Sequence, residues 1–132
     1  MKETVRLSAD GPHDDEYTCE VAAALSEAVR VLNHATLSHA GVSYPATVND
    51  VLGKVSVAAA RLDQLLRQLG EALQRMQASG QLGDDCGDPA GRLDKALSEL
   101  TLAQEMARDL AMHIDCAFNT TATLHLTGAG ES

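Results

Sequence analysis

The chain has 132 residues, 45% of them hydrophobic, which is enough for one domain with one core and places it outside the disordered class. Its 19 acidic and 10 basic residues give a formal charge of -9, which repels phosphate, and with no Trp, one Phe and two Tyr there are few rings for bases to stack on. Nucleic-acid binding is therefore not expected.

Residues 1–14 mix polar residues with Gly11 and Pro12 and show no helical period, so they read as a flexible N-terminal arm. A strand-like alternation in Thr4 to Ser8 and again in Thr123 to Thr127 leaves room for a short two-stranded contact, an arrangement that is marginal in water. A first helix is expected over 15–39, with Asp14 or Asp15 accepting from the open N–H groups of its first turn. Its apolar face reads Val21, Leu25, Ala28, Val29, Leu32 and Ala35. Gly41 then supplies a left-handed stop, and Pro45 suits the first turn of the next helix, where its missing N–H costs nothing.

The second helix, expected over 45–79, organises the chain. Val48, Val55, Leu62, Leu69 and Met76 recur every seven residues, and a broader stripe (Val51/Leu52, Ala58/Ala59, Leu65/Leu66, Ala72/Leu73) runs beside them. Gly53 and Gly70 interrupt it at a cost of roughly 1 kcal/mol each against Ala. Asp63 with Arg67 and Glu71 with Arg75 are spaced i to i+4 and mark the expected solvent face. The stretch GQLGDDCGDPAG from Gly80 is the clearest loop.

A third helix follows over 89–122, with Asp88 as N-cap and Pro89 at the first helical position. Leu93, Leu100, Ala107 and Ile114 form one of its rows, and Ala96/Leu97, Ala103, Leu110/Ala111 and Ala117/Phe118 form the other. The fold expected is all-α: an antiparallel three-helix up-down-up bundle over 15–122 with long coiled-coil-like helices 2 and 3, followed by a flexible tail over 123–132. No apolar run approaches the ~20 residues that span a bilayer, so a membrane is not an expected partner. The N-terminus lacks the apolar region of a secretory signal, and the three cysteines, odd in number and without C-x-x-C spacing, read as free thiols. A cytoplasmic setting is expected.

Chemistry-bearing motifs are sparse. There is no nucleophile elbow and no phosphate-cradling glycine loop, and Asp84, Asp85 and Asp88 lack the ligand spacing of a calcium loop, so neither a catalytic residue nor a cofactor is expected. Glu99, Glu105 and Asp109 do not reproduce the E-x-x-E pattern by which all-α nucleotide pyrophosphohydrolases hold magnesium. An up-down-up bundle would gather His34, Tyr44, His113 and Cys116 near one pole. That leaves, as an alternative, a small-ligand, metal or nucleotide-hydrolysing site there, with His34, His113 and Cys116 as metal ligands.

The segments EAVRVLNHAT, YPATVNDVLGKVSVAAARLDQLLRQL and GDPAGRLDKALSEL look like a family of short all-helical actinobacterial proteins. The resemblance spans roughly Ala24 to Phe118, implies a free-standing bacterial protein and carries no activity with it. The favoured functional expectation is a non-enzymatic helical-bundle protein acting through protein–protein interaction. Helices 2 and 3 carry more apolar surface than one antiparallel contact consumes, and a first helix of about 25 residues is too short to cover the rest of a hairpin of roughly 45 Å by the helical rise. That points to a homodimer or another protein partner, with cover by the N-terminal arm or a splayed first helix as the alternative. The expected interface is Leu66, Leu69, Leu73, Met76, Leu93, Leu97 and Leu100.

Overall fold

The computed structural model describes residues 5–128, so the first four residues of the expected arm and the last four of the expected tail lie outside it. It is all-α, with three helices in the expected order: α1 (Asp15–Ala35), α2 (Pro45–Ala78) and α3 (Pro89–Thr121). Among the described residues there is no strand. The chain divides between Ser43 and Tyr44 into two compact units, the first built on α1 and the second on α2 and α3.

In the first unit Asp14 caps α1, its carboxylate accepting from the Tyr17 N–H at 2.8 Å. Residues ahead of the cap are held against the helix by the Tyr17 hydroxyl, which donates to the Arg6 carbonyl at 2.5 Å and accepts from the Ser8 N–H at 3.0 Å. The His13 ring stacks on Tyr17 with centroids 5.4 Å apart. The helix ends at Ala35, a turn before the expected residue 39. Thr36 bonds back through its hydroxyl to the Leu32 carbonyl, and the chain then tightens through Gly41 N–H to Ser38 O at 3.2 Å. Gly41 is not left-handed, as only Gly80, Gly87 and Gly128 have positive φ among the described residues. Its role is steric: a Cβ there would collide with the Ala35 carbonyl.

In the second unit α2 and α3, of 34 and 33 residues, form a long antiparallel hairpin of roughly 50 Å by the helical rise. Pro89 opens α3 and Asp88 caps it, accepting from the Gly91 N–H at 3.0 Å. Ser79 closes α2, followed by Gly80 at φ +79, the left-handed residue expected past a helix end. In the connecting loop, Asp84 accepts from the Asp88 N–H at 3.0 Å and lies 3.7 Å from Arg92 Nε.

The seam between α2 and α3 reads off its cross-links. Asn49 meets Phe118 and Thr121, Ser56 meets Ala111, Asp63 meets Gln104 and Arg108, and Gly70 lies under Leu97 and Leu100. On α2 these contacts follow one strict heptad row, Asn49, Ser56, Asp63 and Gly70, made of small or polar residues. On α3, Leu97, Leu100, Gln104, Ala111, Phe118 and Thr121 of these contacts, with the buried Leu93 and Ala107 and the half-buried Ile114, make up the four–three spacing of a coiled-coil seam. The buried residues of the hairpin are Ser56, Ala59 and Gly70 on α2 and Leu93 and Ala107 on α3, all but one of them small. Small residues at these levels let the two backbones approach closely.

An uncharged face on the helical hairpin

The seam row fixes where every other row of α2 points. One heptad step is nearly two turns, so each row keeps its angle to α3 along the helix. The row Val48, Val55, Leu62, Leu69 and Met76 lies about a quarter turn from the seam, and the row Val51, Ala58, Leu65 and Ala72 lies beyond it. The row Leu52, Ala59, Leu66 and Leu73 joins them to α3. These thirteen positions contain no charged or hydrogen-bonding side chain. The last row stands nearest the seam, and Val51, Val55, Leu62 and Ala72 of the other two rows are half-buried. Val48 is 40% exposed, Leu69 46% and Met76 52%, with Leu65 exposed beside them.

The two sides of the hairpin differ in chemistry. One carries Arg67, Glu71, Gln74, Thr101 and Gln104 around Gly70, and Asp63 with Arg108 further along. There Gln104 Nε2 donates to Asp63 Oδ1 at 2.9 Å, and Arg108 Nη1 donates to both carboxylate oxygens at 3.1 Å. These two donors, Gln104 first and Arg108 second, hold the Asp63 carboxyl below its usual range. Asp63 was expected on the solvent face beside Arg67. It instead sits half-buried in the seam, and Arg67 pairs at 3.7 Å with Glu71.

The opposite side holds the uncharged rows. At the loop end Leu73, Leu93, Ala96, Arg92, Pro89 and Leu82 line a shallow hollow, which sets Arg92 and its heptad row on the same side as Leu73. That row continues through Glu99, Met106 and His113 and forms the rim of the face on α3. Met106 is 68% exposed there, beside Leu110, itself exposed. The face is thus a strip two helices wide, apolar along α2 and edged on α3 by one Arg, one Glu, one Met and one His.

Of the seven residues expected at an interface, Leu69 and Met76 lie exposed on this face and Leu73 lies half-buried at its inner edge, while Leu66, also half-buried, lines the charged side near Gly70. Leu93 is buried, and Leu97 and Leu100 pack over Gly70 on the other side of the seam, so these three serve the hairpin's own contact. The sequence places Val48, Leu62 and Leu65 in the apolar stripe of the second helix without assigning them to the interface, and does not single out Met106. The signal for the α2 residues was the absence of charge from three adjacent rows.

Tyr44, His113 and Cys116 are exposed in the hairpin unit, and His34 is exposed in the last turn of α1. Among the described residues no three His, Cys, Asp or Glu side chains gather where they could hold a metal ion. Cys19, Cys86 and Cys116 are free and exposed, with Arg92 Nη2 3.2 Å from Cys86 Sγ. No described helix is long and apolar enough to cross a membrane. No family model, curated protein or solved structure matches the chain.

Proposed function

We propose that this chain is a non-enzymatic interaction protein whose working surface is the uncharged face of the α2–α3 hairpin, and that it uses this face to associate with itself. One observation carries the reading: thirteen positions in three adjacent heptad rows of α2 are free of charge, and Val48, Leu65, Leu69 and Met76 among them are exposed. A helix hydrophobic over half its circumference and covered over a smaller arc leaves apolar surface in water, and such patches mark association surfaces. Closed two-fold pairs are the commonest way to cover them. Three exposed, unpaired thiols suit a reducing compartment, and we take the cytoplasm as the setting.

Light scattering across a concentration series tests the proposal. A dimeric mass is expected, with Leu69→Glu converting it to a monomer, because burying one carboxylate per copy without a partner costs several kcal/mol. A monomeric mass that does not change on concentrating removes it.

A further inference from the structure

The face carries enough detail to define how two copies meet. We infer that the occupant is a second copy of this chain, docked hairpin to hairpin about a two-fold axis that passes between Leu62 of α2 and Met106 of α3, to make a four-helix bundle with α2 against α2 and α3 against α3. This rests on the self-association reading above and adds the register and the polarity.

The level is set by the seam. Asp63 reaches both Gln104 and Arg108, so the middle of α2, at Leu62, stands level with Met106 on α3. These two residues are also the centres of their rows. Leu62 has Val55 and Val48 on one side and Leu69 and Met76 on the other, so a two-fold axis through it sets each Val opposite a larger side chain of the partner. On the flanking row Ala58 lies within one residue of the level of the partner's Leu65. A small residue set against a large one is what a close-packed helical interface needs.

The rim residues of α3 agree with the same axis. Glu99 and His113 lie seven residues to either side of Met106 on the same rim. An axis at Met106 therefore sets Glu99 opposite the partner's His113, twice in the dimer, and brings the two exposed Met106 side chains together. An imidazole N–H facing a carboxylate is a donor facing an acceptor, whereas any register that set Glu99 against Glu99 would face two carboxylates.

The area is sufficient. A strip roughly 50 Å long by the helical rise and two helices wide, each about 10 Å, covers on the order of 1,000 Å² per copy. A standard stable interface needs about 800 Å² per partner. Helix pairs of this length pack in such bundles at about 20° to one another, which keeps contact over their whole length.

The test is cross-linking in a background with Cys19, Cys86 and Cys116 replaced by Ser. Met106→Cys is treated with a short thiol-specific bifunctional linker, beside Gln64→Cys on the polar side as control, and the mass in solution is measured in parallel. The expected result is a dimer that cross-links efficiently at Met106 and not at Gln64. A dimer that cross-links at Gln64 rather than Met106 overturns this geometry and leaves self-association standing; a monomer at every concentration overturns both. In a second arm, His113→Glu is expected to weaken the dimer about three- to tenfold, since it sets a carboxylate opposite the partner's Glu99 at two places, and adding Glu99→Lys is expected to restore it. Full-strength dimerisation of His113→Glu, with helicity unchanged, overturns the antiparallel α3 pairing.

Discussion

Asn49 donates its side-chain amide to the main-chain carbonyl of Phe118 across 2.6 Å, joining residues 69 apart in the chain. The Phe118 carbonyl belongs to the last turn of α3 and also accepts from the Thr121 hydroxyl at 3.1 Å, so the first turn of α2 is tied to the last turn of α3. A second bond, to Thr121 Oγ1 at 2.9 Å, uses the other amide hydrogen.

Asn49→Ala removes both bonds at a part-buried site and is expected to cost about 1–2 kcal/mol, read as a lower urea midpoint at fixed protein concentration. Amide exchange should show the last turn of α3 opening more than the loop end. Uniform loss of protection along α3 would contradict the tie.

Gly53 and Gly70 should respond oppositely to alanine. A Cβ at Gly53 would stand 2.8 Å from Phe118 Cε1, so the ring must shift, whereas at Gly70 the nearest atom is the Leu97 methyl Cδ2 at 3.2 Å, on a flexible side chain. The helical preference for Ala, about 1 kcal/mol, is thus expected to survive in Gly70→Ala and to be lost in Gly53→Ala. Thermal unfolding of both variants checks this. Pairing Gly53→Ala with Phe118→Leu should recover part of the loss.

Asp63 gives the hairpin a pH dependence of known sign. Hydrogen bonds from Gln104 and Arg108 lower its folded-state pKa below the ordinary value of 3.8. The stabilisation is therefore complete above that value and is lost as pH falls through the lowered folded-state pKa. Asp63→Asn is expected to be less stable near neutral pH and to show a shallower decline in stability below about pH 4, measured by urea unfolding across pH.

If the dimer forms, unfolding and dissociation are coupled. A tenfold rise in protein concentration is then worth about 1.4 kcal/mol and should raise Tm by roughly 3–5 °C for a dimer of this size. The same series on Leu69→Glu is expected to be flat.

The helix ends were legible because each carries local chemistry: Asp14 at one start, Pro45 at the next, Asp88 and Pro89 at the third, and Gly80 at a stop. The exception is the end of α1, where hydroxyl back-bonding by Thr36 and the close approach of Gly41 depend on conformation rather than residue type. Periodicity located the stripe on α2 but not the direction of its neighbour. The row Val48 to Met76 is the conspicuous one in the sequence, whereas α3 packs against Asn49, Ser56, Asp63 and Gly70. What selects that row is polar pairing with residues 41 to 72 positions away, which a single helix does not display. The readable clue was on α3, where Gln104 interrupts an otherwise apolar seam at the level of Asp63.

The loop of residues 79–88 also orders the events of folding. Leu73 and Leu93 are the first pair above it, and closing a chain segment of that length takes on the order of 100 ns. Zipping can then run from the loop toward Asn49 and Phe118, each new contact following one already made, as in other helical chains of low contact order. Of the uncharged rows, the one through Ala59 and Leu73 joins that zipping, whereas Leu69 and Met76 are still exposed when the hairpin has closed. Under the self-association proposed above, their burial is therefore a second, bimolecular step, whose rate rises with the concentration of chains while the zipping rate does not.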